Sequence, residues 1–238
     1  ENGHPPNDAM WVTYSMNKED IWVASIPTPI KAEAADHVDE NFNRLEGISE
    51  LTQWNLYSPQ WAPVRIEREN NTGYLALKDK DRYDYAKAVR VIPDSKELTA
   101  EFTVVPKQND HGQLQVEVRN AENMPAIRLI FDSDSVLKSK NGYRYSGISR
   151  YKPGKEYTIR LEIDVPSKFF TVYLNGEQEG RPRKFFAPVE SVSQIAFRTG
   201  EVRHYPTPET QASHDFDRPD AGIPFDEATF YIRSLKTQ

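Results

Sequence analysis

The sequence predicts an all-β protein built as an antiparallel two-sheet sandwich of jelly-roll type. Apolar and polar residues alternate with period two through most of the chain, Pro, Gly, Asn and Asp interrupt the runs, and no unit repeats. Alternation puts apolar side chains on one strand face and polar ones on the other, the pattern of a half-buried antiparallel strand. A propeller would repeat itself every ~40–50 residues. With no repeat and no helical alternation, a sandwich whose strands share no motif is the remaining architecture.

Taken in order, Trp11-Val12-Thr13-Tyr14 and Ile21-Trp22-Val23-Ala24 flank the polar turn Asn17-Lys18-Glu19-Asp20 and end at Pro27-Thr28-Pro29, which reads as a hairpin followed by a linker. Residues 31–50 are acidic, loosely patterned and the only stretch with helical flavour, so they are expected as a connector. The sandwich is expected over 51–238. Within it, Leu98, Ala100, Phe102 and Val104 make one strand, and Leu114, Val116 and Val118 alternate with Gln113, Gln115, Glu117 and Arg119 in another. Tyr157, Ile159, Leu161 and Ile163 alternate with Thr158, Arg160, Glu162 and Asp164, and Phe170, Val172 and Leu174 lead to a turn at Asn175-Gly176. About a dozen strands result. Residues 199–226 hold several prolines and aspartates with little alternation, and so long a loop in a compact domain is functional or mobile.

Composition narrows the class. The chain has 238 residues, 37% of them hydrophobic and 11% aromatic, enough for a sizeable core. The net charge of −6 disfavours a nucleic-acid binder, which carries a basic face. No run approaches the ~18 apolar residues of a membrane span. The absence of cysteine removes thiol nucleophiles, disulfides and thiolate metal sites together. Glu1 is not followed by a charged and apolar leader, so a mature chain or a piece of a longer one is expected.

The string Trp11-Val12-Thr13-Tyr14-Ser15-Met16-Asn17-Lys18-Glu19-Asp20-Ile21-Trp22-Val23 resembles the closing segment of sialidase-like (BNR-repeat) propeller proteins of polysaccharide-degrading bacteria. That resemblance implies that residues 1–30 are the tail of a preceding propeller domain. It also implies a secreted or periplasmic protein whose signal peptide lies outside this chain. From about Phe42 onward the sequence is similar to concanavalin A-like (laminin-G-like) jelly rolls. Tyr157 to Asp164 followed by Phe170 to Gly176 carries the likeness, and Ile195 to Gly200 and Thr229 to Ile232 fit the last strands. The likeness implies a fold, and a fold alone does not assign a function.

No catalytic residue is assigned. Hydrolases of this fold family carry Glu-x-Asp-x-x-Glu on one strand, whereas Glu162-Ile163-Asp164-Val165-Pro166-Ser167 lacks the last acid and meets a strand-ending proline. The Asp-box of sialidases is absent from the sequence. His4, His37, His111, His204 and His214 have no zinc-site spacing, no Gly-x-Ser-x-Gly elbow occurs, and no Gly-rich phosphate loop is present. A structural calcium is the one cofactor considered, with Asp132 and Asp134, and Asp215 and Asp217, as its candidate carboxylates. Solvated loop acids are the alternative reading of both pairs.

Polysaccharide or oligosaccharide is the expected partner. A pyranose needs flat apolar surface for its C–H face and polar groups for its hydroxyls. Trp54, Tyr57 and Trp61 form one candidate cluster, against the alternative that Trp54 packs in the core as strand alternation suggests. Arg198, Arg203, His204 and Tyr205 form the other, whose arginines suit an anionic sugar such as a uronate, against the alternative of a mobile surface loop. The charged, aromatic stretch Asp79 to Tyr85 reads equally well as part of a binding face or as a turn. The expectation is a non-catalytic carbohydrate-binding or accessory domain of a glycoside hydrolase-like protein. The alternatives are a structural buttress for a catalytic propeller and a hydrolase with an unrecognised acid pair.

Overall fold

The computed structural model describes residues 9–16, 20–142, 144–200 and 223–238. The strands run β1 (Ala9–Met16), β2 (Asp20–Pro27), β3 (Asp39–Asn41), β4 (Trp54–Tyr57), β5 (Val64–Glu69) and β6 (Thr72–Asp79). They continue as β7 (Lys87–Ser95), β8 (Glu97–Pro106), β9 (Leu114–Arg119), β10 (Pro125–Asp132), β11 (Val136–Asn141) and β12 (Arg144–Arg150). The last are β13 (Tyr157–Asp164), β14 (Phe169–Leu174), β15 (Glu177–Gln178), β16 (Arg183–Lys184), β17 (Val192–Thr199) and β18 (Ala228–Thr237). The helical content among the described residues is a single 3-10 turn at Ile48–Glu50.

Two antiparallel sheets form the sandwich. One has seven strands in the order β12-β11-β10-β9-β17-β7-β4. The other has nine, in the order β15-β14-β13-β8-β18-β6-β5, with β16 added to β14 and β3 to β18. β18 lies in the middle of the larger sheet, paired with β8 on one side and β6 on the other. β1 and β2 form a separate hairpin that lies against β4.

The core fills the space between the sheets, as the alternation requires. Phe102, Val104, Phe230 and Ile232 come from the larger sheet and Val116, Leu129, Phe131 and Phe197 from the smaller, all at most 1% exposed. Phe102 meets Phe197 edge-on across the sandwich, with ring centroids 5.7 Å apart. Burying one such ring contributes roughly 1.5–3 kcal/mol by area alone. Two tight turns have the chemistry their geometry needs. Asn70 and Asn71 (φ 49° and 64°) join β5 to β6, and Asn175 and Gly176 (φ 51° and 90°) join β14 to β15. Gly73 is required for a different reason: a Cβ there would sit 2.0 Å from the Phe42 carbonyl oxygen.

Two differences from expectation have physical causes. The strand count exceeds a dozen in part because β3, β15 and β16 are only two or three residues long, too short to show a period. The 31–50 segment is also more than a connector. It supplies β3, which pairs with β18, and it buries Val38 and Phe42 in the main core at 2% and 0% exposure. β13 does stop at Asp164, ahead of Pro166.

Candidate functional site

The strands of the seven-stranded sheet place their even and odd residues on opposite faces, and the register fixes which residues stand side by side. Leu56, Ala88, Phe197, Val116 and Leu129 form one continuous row toward the core. The rows on the other face are polar. One runs Tyr57, Lys87, Arg198, Gln115, Ile130, Lys138, and the next runs Asn55, Val89, Ala196, Glu117, Arg128. A third brings Val91, Gln194 and Arg119 together.

This polar face is not an ordinary solvated one. Glu117 is 1% exposed, Gln115 4%, Arg128 5% and Arg119 8%. Glu117 takes both neighbouring arginines: Arg119 donates to Oε2 and Arg128 to Oε1. Arg128 also lies over the Phe186 ring, 4.8 Å from its centroid. Such a triad is tolerable in a buried setting because every charge has a partner.

Lys87 and Arg198 are different. They are direct cross-strand neighbours, and no side-chain hydrogen bond or ion pair engages either among the described residues. The Arg198 guanidinium carbon lies over the Tyr85 ring, 3.8 Å from its centroid, a contact that holds the cation without neutralising it. Lys87, Arg119, Arg128 and Arg198 thus stand together around a single carboxylate, that of Glu117. Burial, and then the charges of Arg119 and Arg198, lower the Lys87 amine below its ordinary value. Burial likewise holds Arg198 below the usual arginine range. Acceptors are unfilled as well: the side-chain oxygens of Gln115 and Gln194 are buried without a donor. Gln115 donates its amide N–H to the Gly200 carbonyl at 3.1 Å, which turns its oxygen the other way.

The sequence-predicted residues divide as follows. Trp54 faces the core at 4% exposure, between Phe42 and Phe197, and offers no ring to a sugar; strand alternation decides its place. Tyr57 and Trp61 stay partly exposed. Tyr57 donates to Asp84 at 2.9 Å and leans on Tyr85, so it borders the polar face, whereas Trp61 lies beyond β4 and is held through its carbonyl to Lys80. Arg198 belongs to the polar face. Arg203, His204, Tyr205, Asp215 and Asp217 lie outside the described residues. Asp132 and Asp134 converge on the ammonium of Lys138, at 2.6 and 2.5 Å, so a lysine already provides the cation between them. Among the described residues no three histidine, aspartate or glutamate side chains gather as a metal site. Glu162 and Asp164 sit on the outer side of the larger sheet, where Glu162 is bound by Arg160 and Tyr173 and Asp164 closes the following turn on Ser167.

Sequence reasoning missed Lys87, Gln115, Glu117, Arg119, Arg128 and Gln194. Their polarity and alternation were visible, but not that the face they share is buried.

Asp79 to Tyr85 links β6 to β7 as a hydrogen-bonded turn beside this face. Asp79 Oδ1 accepts from Asp81 N at 2.9 Å, and Asp81 Oδ1 accepts from Tyr83 N and Asp84 N at 2.8 and 3.0 Å. Burial, with the charges of Asp81 and Asp84 adding to it, pushes the Asp79 carboxyl up to about 7.

The domain is a jelly-roll sandwich with a buried polar face on one sheet, and comparison with known proteins gives its family. The family described as "Sialidase-like, CBM domain" (carbohydrate-binding module) matches residues 54–214, and the chain belongs to that family. A solved structure described as "Sialidase" is 40% identical with a TM-score of 0.85, over 100% of this chain and 21% of its own. The chain therefore spans about a fifth of that protein. The Crh5 transglycosylase is similar at a TM-score of 0.59 and 12% identity, over 89% of this chain and 87% of its own. The polysaccharide lyase family 7 alginate lyase AlgAT5 has a TM-score of 0.53 and 12% identity, over 79% and 95%. These last two share the fold alone. No curated protein matches the sequence. No helix among the described residues is long and apolar enough to cross a membrane.

Proposed function

We propose that this domain is a non-catalytic carbohydrate-binding module of a secreted or periplasmic sialidase-like protein that acts on glycans, and that it receives sugar at the partly exposed end of the polar face of the seven-stranded sheet, beside Tyr57, Lys87 and Arg198. The observation that carries the reading is that face itself: cations without counter-charges and amide oxygens without donors, beside the partly exposed rings of Tyr57 and Tyr85. Leaving buried polar atoms unsatisfied costs about 1–3 kcal/mol each, and this face carries two, Gln115 Oε1 and Gln194 Oε1, next to two adjacent cations. The family match and the 40% identical sialidase support a module attached to a larger glycan-active protein.

The hairpin supports the same arrangement. Trp11, Ile21 and Val23 are 52%, 80% and 47% exposed, an apolar strip suited to a neighbouring propeller domain of the same protein. Affinity electrophoresis through neutral and acidic polysaccharides, with and without calcium, tests the proposal. Retardation by a polymer class supports a binding module. Migration unchanged in every gel overturns it in favour of a buttress for the propeller, and release of reducing sugar would identify a hydrolase instead.

A further inference from the structure

We propose that Lys87 and Arg198 form a receiving pair for the carboxylate of an acidic sugar, a specificity that rests on the binding-module reading above and goes beyond it. The two residues face each other across the β7–β17 pairing, where directly opposed residues have Cα atoms about 4.5–5.5 Å apart. Like charges in that relation destabilise a sheet. The other cations of this sheet face have polar partners: Arg119 and Arg128 share Glu117, Lys138 holds Asp132 and Asp134, and Lys140 donates to the Tyr145 hydroxyl. The side chains of Lys87 and Arg198, adjacent at the partly exposed end of the row, have no hydrogen-bond or ion-pair partner among the described residues.

The surroundings define the ligand further. A carboxylate accepts the planar fork of Arg198 and the point charge of Lys87 together. The Tyr85 ring holds the guanidinium in place, so little order is lost when the ligand arrives. Tyr57 and Tyr85, both partly exposed beside the pair, suit the C–H face of a pyranose ring, which a simple anion such as phosphate or sulfate lacks. Carboxylate and hydroxyls on one small ring describe a uronic acid or a nonulosonic acid such as sialic acid. Arg198 was expected beside Arg203, His204 and Tyr205, whereas its described neighbour across the strands is Lys87.

The test is isothermal titration of the full chain with three probes: an oligogalacturonate, a sialyl-oligosaccharide and its desialylated counterpart, each repeated at raised salt. Tighter binding of one carboxylated probe than of the neutral one, by roughly tenfold or more and weakening with salt, is the expected result, and which probe it is distinguishes the two sources. Lys87→Gln and Arg198→Gln should each remove that preference while leaving the thermal midpoint equal or higher, because each relieves a repulsion. If one variant fails to fold, the other carries the test. Binding of the neutral probe alone, or an acidic preference that survives both substitutions, overturns the proposal and leaves the binding-module reading standing. Loss of binding to every probe and to every polymer of the electrophoresis panel overturns both.

Discussion

The indole N–H of Trp54 donates to Glu40 at 2.8 Å, and the other oxygen of the same carboxylate accepts from Arg90 at 2.7 Å. One side chain from the segment expected as a connector therefore satisfies two buried groups on the seven-stranded sheet. Arg90 is 6% exposed and Trp54 4%, so neither can turn to water for a replacement. Glu40→Ala should lower stability by about 2–3 kcal/mol in urea unfolding, and Glu40→Gln by about half as much because the indole keeps an acceptor. Equal midpoints for wild type and Glu40→Ala would show that the segment before β4 is not part of the sandwich.

Asp79 gives the fold a pH dependence of definite sign. Its carboxyl titrates near 7 in the folded chain, against an ordinary value of 3.8. Between those limits the folded state holds a proton that the unfolded state has released. The contribution is therefore complete below about 3.8 and is lost as pH rises through about 7. Asp79→Asn keeps an acceptor for the Asp81 N–H and removes the titration. Its thermal midpoint should match wild type near pH 4 and exceed it by several degrees at pH 8. Parallel midpoint-versus-pH curves for the two proteins would reject this account.

Gly73 lies at a tight backbone crossing with Phe42. Its amide donates to Asn43 Oδ1 at 2.8 Å, and an added methyl would collide with Phe42 backbone atoms at 2.0 and 2.5 Å. No flexible side chain can move aside, so Gly73→Ala should cost about 3 kcal/mol or more, read as a lower denaturation midpoint with unchanged slope. A cost below 1 kcal/mol would mean that the backbones of Gly73 and Phe42 can separate to admit a methyl group.

The hairpin pairs only with itself and rests on the sandwich through β2 against β4. Removing residues 1–30 should leave the far-ultraviolet spectrum of the remainder intact and lower stability by less than about 2 kcal/mol. That is below the 3–5 kcal/mol expected for Phe197→Ala. A loss as large as the core truncation would make the hairpin a structural part of the sandwich.

Legibility followed the range of the signal. Asn175-Gly176 announced its turn and the β13 alternation announced its strand, because both depend on neighbours in sequence. The same period correctly set Gln115, Glu117 and Arg119 on one side of β9. It could not tell whether water or protein lay over that side, since burial depends on what the rest of the chain places above it. The Lys87–Arg198 adjacency depends on strand order, which period two does not encode. Trp54 illustrates the converse: its aromatic character pointed to sugar, but its alternation with Leu56 pointed inward, and the alternation prevailed.

The position of β18 has a consequence for how the domain is made. Because this strand divides β8 from β6, a nascent chain that has not reached residue 228 has the larger sheet in two pieces, each with an open edge where β18 will fit. Those edges are apolar on the inner face and rich in unpaired backbone groups, the features that invite pairing with other chains. The ribosome must therefore deliver residues 228–237 before the protein is safe from its own copies. A stall or truncation upstream of them should yield aggregates rather than a smaller folded domain.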